Sequence, residues 1–317
     1  MGSDPIALPL LDWFLGQEGR ALAQISTVYT QPDRPVGRGQ RFVANEIKQW
    51  ASAHGIEVRQ PEKLTAEARA RLTADAPDLT LVMAYGHILG EKFIQAPRLG
   101  TLNLHASLLP KYRGASPIQT AIASGDAQTG VALMRIVREL DAGPVADVES
   151  VDIETLDTGL DIKATLAAAC VPLVSRNLPR LAAGELAFVP QDHAGANFCR
   201  RLIKDDGVLD FTRPARAVSA RINGLFPWPG CRTEINGQII KLGQADTLEG
   251  QGEPGSIISN FDQELLVSTP QGLVRLLKLQ RPGGRMLPTA DFLRGFTVEA
   301  GTILPSVTMP TLVRTQS

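Results

Sequence analysis

The strongest constraint in this sequence is a change of rhythm along the chain. As far as Leu181, apolar and β-branched runs alternate with segments of helical period; beyond Ala187 short β-like runs broken by turns take over. The predicted strands of the first part are 23–30, 56–59, 78–85, 101–105, 130–136 and 145–151. Between them, helices are predicted over 42–53, 65–72 and 116–123, and a long amphipathic one over 159–181 closes the series. Strands that alternate with helices predict an α/β fold, a doubly wound and mostly parallel sheet. From Gly207 the runs 232–235, 238–242, 255–259, 264–268 and 272–279 follow with little helix, and Asn236-Gly237 between the first two is a strong hairpin signal. That series predicts a small, OB-like β-barrel. The domain reading is therefore 1–188, a linker at 189–206, and a barrel at 207–317.

The chain opens unusually. Asp4 followed by Pro5 reads as a helix start, an acidic cap and then proline in the first turn, with Gly16 and Gly19 closing the segment. A helix followed by the 23–30 strand reads either as a βα unit without its first strand, with Gly2-Ser3 as the turn, or as a protein that simply begins with a helix.

Composition narrows the function classes. Three widely spaced cysteines (Cys170, Cys199, Cys231) form no CxxC pair, which argues against a disulfide framework or a cysteine zinc site and for a reducing, cytoplasmic setting. They read as small buried hydrophobes. Four histidines include no HExxH pair, no apolar run approaches the ~20 residues of a membrane span, and no signal peptide is evident. No metal and no membrane are expected. A net charge of −1 gives no global field for nucleic acid, so any RNA contact must be local.

The chemistry concentrates in Asn103-Leu-His-Ala-Ser-Leu-Leu-Pro-Lys-Tyr-Arg-Gly-Ala-Ser-Pro117. Residues two apart on a strand share a face, so Asn103 and His105 point the same way, at the carboxyl end where open α/β sheets bind ligands. An amide N–H can stabilise an oxygen that gains charge, and an imidazole can exchange a proton near neutral pH. On these grounds alone a satisfied structural pair is the favoured reading of Asn103 and His105, and a turn-capping role for Asp141 an equal one. Tyr112 reads as a half-exposed aromatic near the loop, and Trp228 as domain packing.

The stretch resembles the signature of enzymes that transfer a formyl group from 10-formyltetrahydrofolate. In that family an Asn-x-His strand runs into a Ser-Leu-Leu-Pro loop and an Arg-Gly turn, matched here by Asn103, His105, Ser107, Leu108, Leu109, Pro110, Arg113 and Gly114. A later Leu-Asp-x-Gly loop is matched by Leu140-Asp141-Ala142-Gly143. The run Tyr85, Gly86, His87, Ile88, Leu89 is similar to the family's pterin-lining loop. The resemblance implies Asn103, His105 and Asp141 as catalytic residues. It implies Tyr85, Gly86, Ile88, Leu89, Ser107, Leu108, Leu109 and Pro110 as folate-binding ones, with 10-formyltetrahydrofolate as co-substrate and no metal.

Three further segments resemble the branch of the family whose acceptor is methionine charged on initiator tRNA. They are 30–39, similar to a tRNA-contacting insertion loop; 223–229, with its Pro-Trp-Pro; and 279–286. The implied tRNA contacts are Arg34, Arg38 and Arg41, of which Arg38 matches the loop motif best. A solvated loop with scattered arginines is the plain alternative. Residues 197–317 hold 14 Lys+Arg against 11 Asp+Glu, and residues 1–196 hold 18 against 22. That asymmetry points RNA toward the barrel. The expected protein is a monomer. Other readings keep the site but change the acceptor to an amino sugar or to water, or make the chain an inactive tRNA-binding relative. The family resemblance also places an apolar strand before Gly2-Ser3, so a start roughly ten residues upstream, one ordinary strand, is expected.

Overall fold

A computed structural model describes residues 1–36, 39–259 and 264–315. The chain divides into two compact units. The first comprises Met1–Arg113, Gly130–Val151 and Ala164–Ala196; the second comprises Gly114–Thr129, Asp152–Lys163 and Asn197–Ser317.

In the first unit Thr27–Tyr29 and Glu57–Arg59 pair in parallel. A second sheet runs in the order Thr80–Val82, Thr101–His105, Gln128–Arg135, Val145–Asp152. Its first pair is parallel, with Val82 beside Asn103; its second is antiparallel, with His105 beside Ala132. Helix Gly159–Ala182 ties to the sheet through Asn177, whose amide donates to Asp147 Oδ2 at 2.6 Å, and through Arg176, which pairs with Asp147 and Glu149. Leu102, Leu104, Met134, Leu166 and Leu173 are fully buried and make the core of this layer.

Met1–Ser3 runs between the two sheets as a minimal strand. The Met1 amine donates to Leu81 O and Met83 N to Met1 O, while Gly2 N donates to Tyr29 O and Ser3 N to Ala84 O. Glycine is required at position 2, since a Cβ there would stand 2.8 Å from Met83 O. A cavity of about 510 Å³ adjoins this segment, walled by Leu10, Leu11, Phe14, Val28, Val82 and Leu104. Asp4 caps the following turn by accepting from Ile6 N, and the helices Leu8–Leu15 and Gln17–Leu22 follow.

One predicted helix is shorter than its periodicity suggests. It spans Glu46–Ala53 rather than 42–53, because Asn45 caps it by accepting from Lys48 N. Arg41–Val43 instead pairs with Arg34–Val36 as a hairpin, which leaves Phe42 75% exposed. Aromatic and β-branched residues favour strand when no core claims them.

The second unit is built on an antiparallel sheet ordered Cys231–Ile235, Gln238–Leu248, Leu273–Gln280, Leu265–Ser268, Ile257–Ser259, with Leu287–Pro288 against Leu273–Gln280. The expected barrel is thus a curled half-barrel of antiparallel strands. Asn236 and Gly237 form the predicted hairpin turn with φ of 51° and 72°. Register shifts around Gln244 bend the long strand. Asn223 pins that bend, its amide accepting from Ala245 N and donating to Ala245 O, both at 2.8 Å. Phe211, Val218, Ile222, Leu225 and Leu279 are buried in one hydrophobic core with the sheet. Trp228, expected to pack, is 54% exposed. All three cysteines are buried, and burial pushes the thiols of Cys170 and Cys231 up to about 12.

Candidate active site

The Thr101–His105 strand ends in a tight, self-bonded loop. Ser107 N donates to His105 O, the Ser107 hydroxyl donates to Lys111 O at 2.6 Å, and Lys111 N donates to Leu108 O. The loop returns the chain so that the Tyr112 carbonyl lies 2.9 Å from His105 Nε2. A carbonyl only accepts, so Nε2 carries a proton and Nδ1 is the nitrogen left for exchange. Nδ1 faces Asp141 Oδ2 at 3.7 Å. His105 is buried and Asp141 partly so. The structure thus brings His105 and Asp141 together, and Tyr112 supplies an anchor that no sequence signal marks. Tyr112 itself is buried, not half-exposed, and adopts a φ of 56°.

Asp141 sits on a loop with little freedom. Its own φ is 48°, and a Cβ at Gly143 would stand 1.9 Å from Arg135 O. Only glycine fits where the loop passes the Gln128–Arg135 strand. Asn103, on the same strand face as His105, is half-buried, and its amide has no hydrogen-bond partner among the described residues. A polar amide held at a strand end without a partner is available to a ligand oxygen.

Beneath these groups lies Arg113, 2% exposed. Burial pulls its guanidinium below its ordinary range, and the carboxylates of Asp141 and Glu139 act in the opposite direction. Its Nε and Nη2 donate to Gln191 Oε1 at 3.0 and 2.7 Å. Gln191 falls in a stretch without apolar periodicity, and only its tertiary contacts reveal it.

The other expected folate residues leave the same sheet end. Thr80–Val82 is parallel to Thr101–His105, so 83–89 emerges beside Asn103. Tyr85 and Leu89 turn their side chains into the core with Tyr29, Leu72, Val82 and Phe93. Burial raises the Tyr85 phenol to about 12. Tyr85 O is taken by the Ser3 hydroxyl and the Gln31 amide. Ile88 is 87% exposed, and Gly86 has a φ of 82°. Leu108, Leu109 and Pro110 are half-buried on the loop after His105.

Arg34 and Arg41 are exposed on the hairpin and share one face, opposite Pro35 and Phe42. The hairpin base is held by Asp33, which pairs with Lys48 at 2.7 Å and accepts from Gln60; these contacts hold its carboxyl below the usual range. Arg38 lies outside the described residues.

A sheet end carrying an unpartnered amide and a histidine–carboxylate pair has the groups to stabilise a developing charge and to exchange a proton, and the sequence comparisons define the class of protein that carries it. The profile described as Formyl transferase matches residues 14–176, and that described as Formyl transferase, C-terminal domain, matches 201–297. The chain belongs to the formyl transferase family. A methionyl-tRNA formyltransferase of Pseudomonas syringae pv. tomato is 44% identical over 269 residues, 84% of this chain and 86% of that protein. Among solved structures, the sugar 3N-formyl transferase WlaRD, with dTDP and 5-N-formyl-THF present, shares the fold at a TM-score of 0.65 and 16% identity. That match covers 90% of this chain and 97% of the other. HypX from Aquifex aeolicus, in complex with tetrahydrofolic acid, aligns at a TM-score of 0.58 and 18% identity, over 86% of this chain and 47% of its own. No helix among the described residues is long and apolar enough to cross a membrane.

Proposed function

We propose that this protein transfers the formyl group of 10-formyltetrahydrofolate to the α-amino group of methionine esterified to initiator tRNA. The observation that carries the reading is the free Asn103 amide beside the His105–Asp141 pair, in a chain 44% identical to a methionyl-tRNA formyltransferase. The neutral amine attacks the formyl carbon, and the oxygen that gains charge accepts a hydrogen bond from Asn103. His105, with Nε2–H committed to Tyr112 O, exchanges protons through Nδ1. It takes the proton lost by the attacking amine; N10 of the folate gains one as its bond to the formyl carbon breaks. The Asp141 carboxylate faces His105 Nδ1 at 3.7 Å and orients the ring during the exchange. The folate is held by the 83–89 and Ser107–Pro110 loops, with Ile88 and the backbone of Gly86 among the accessible groups of the first.

Arg34, Arg38 and Arg41 meet tRNA phosphates or bases, and the mildly basic stretch 197–317 offers a further surface. A monomer working in the cytoplasm, where translation consumes its product, completes the reading. Comparing acceptors tests it: methionyl initiator tRNA is formylated, while a nucleotide-linked amino sugar and water are not. Faster transfer to the sugar would move the chain to a different acceptor class.

A further inference from the structure

We infer that Gln191 is a positioning residue for the transfer step, its carboxamide holding the Leu140–Gly143 loop so that Asp141 faces His105. This rests on the reading that His105 and Asp141 act in formyl transfer. The Gln191 side chain is buried and makes four hydrogen bonds. Its Oε1 accepts from Arg113 Nε and Nη2 at 3.0 and 2.7 Å; its Nε2 donates to Asp141 O at 2.9 Å and to Gly143 O at 2.7 Å. An uncharged amide has two acceptor sites and two N–H donors, so its capacity is fully used. Its orientation is fixed too. Exchanging O and N would set an NH₂ against a guanidinium and an oxygen against two carbonyls.

The clamp joins the two arms of the site. Arg113 follows Tyr112, whose carbonyl fixes the tautomer of His105. The two carbonyls belong to the loop that carries Asp141, where a φ of 48° is a conformation the backbone keeps only under restraint. Gln191 is itself held by the bridge two residues earlier, where Val145 and Val189 exchange both backbone hydrogen bonds at 2.8 Å. A donating and accepting end at that reach belongs to glutamine alone: Glu keeps the Arg113 contact and loses both donors, and Leu loses everything.

Three variants and one double variant decide the matter by single-turnover formyl transfer and by the KM for 10-formyltetrahydrofolate. Gln191→Leu and Gln191→Glu are each expected to slow transfer by ~10- to 100-fold, the scale of a reacting group misplaced by about an ångström, with KM within about twofold of wild type. Combined with Asp141→Asn, Gln191→Glu is expected to add little, because both act through one carboxylate. A Gln191→Glu enzyme at the wild-type rate would show that only Arg113 needs the side chain and would overturn the proposal. So would losses that multiply in the double variant. Should Gln191→Leu fail to fold, Gln191→Glu retains the partner of the buried guanidinium and still decides. An unimpaired Asp141→Asn enzyme would instead refute the catalytic reading of Asp141 itself.

Discussion

The floor of the candidate active site and the arginine hairpin differ in how much of their geometry is decided before any substrate arrives. Around His105 the groups are largely buried and held by one another: Tyr112 O on Nε2, Asp141 facing Nδ1 at 3.7 Å, Gln191 bonded to the Asp141 loop, and glycine enforced at 143. Desolvated donors and acceptors in fixed positions can meet a developing charge without reorganising. The hairpin is fixed only at its base, by Asp33, Lys48 and Gln60, and its arginines stand in solvent. Exposed charges serve a polyanion by releasing counterions, which demands number and reach rather than precision. In the proposed function, one region serves chemistry and the other adhesion.

The contrast implies different responses to perturbation. The largest is expected at the site floor. Gly143→Ala drives a methyl into Arg135 O and displaces the Asp141 loop, so transfer should fall ~100-fold. Stability should fall with it by about 1–3 kcal/mol, the scale of overpacking. Thermal denaturation alongside single-turnover kinetics reads both; an active Gly143→Ala enzyme would mean that the floor is pliant.

The next effect reaches both regions through the segment that ties them. Ser3 Oγ accepts from Gln31 N at the root of the hairpin and donates to Tyr85 O in the 83–89 loop. In a chain beginning at Met1, burial lowers the adjacent amine from 8.0 to about 5. Its folded pKa is depressed, so the unfolded chain binds the extra proton between pH 8 and 5. Stability is therefore full above pH 8 and declines as pH falls toward 5, by on the order of 4 kcal/mol if the whole shift is expressed. Chemical denaturation at pH 8 and pH 5.5, with and without amino-terminal acetylation, measures this. Acetylation should flatten the dependence; an unchanged slope would assign it to other groups.

The smallest effect belongs to the hairpin. Arg34→Ala and Arg41→Ala should each raise the KM for tRNA by roughly three- to tenfold and reduce the salt slope of binding by about one. Turnover at saturating tRNA should hold. A fall in turnover at saturation would make the hairpin part of the catalytic geometry and dissolve the contrast.

The same contrast governs what the sequence could reveal. The α/β order, the Asn236-Gly237 hairpin and the strand that carries Asn103 and His105 were legible because they are local: period, turn chemistry and two-residue alternation suffice. The 42–53 segment misled because Phe42 and Val43 fit a helical period while Asn45, the cap, starts the helix four residues later. Tyr112 and Gln191 were illegible for a different reason. One acts through a backbone carbonyl that any residue could supply, and the other through atoms 48 to 78 residues away in the chain. Arg113 was visible as part of a motif, yet its burial was not.

In the proposed function a free amide and a histidine–carboxylate pair at one strand end perform formyl transfer. The most direct test is the single-turnover rate from 10-formyltetrahydrofolate to methionyl initiator tRNA in wild type, Asn103→Ala and His105→Ala. Each variant is expected to lose ~10²- to 10³-fold, the scale of one oxyanion donor or one proton-transfer group, with both proteins folded. Folded variants that transfer formyl at near-wild-type rates would contradict that function.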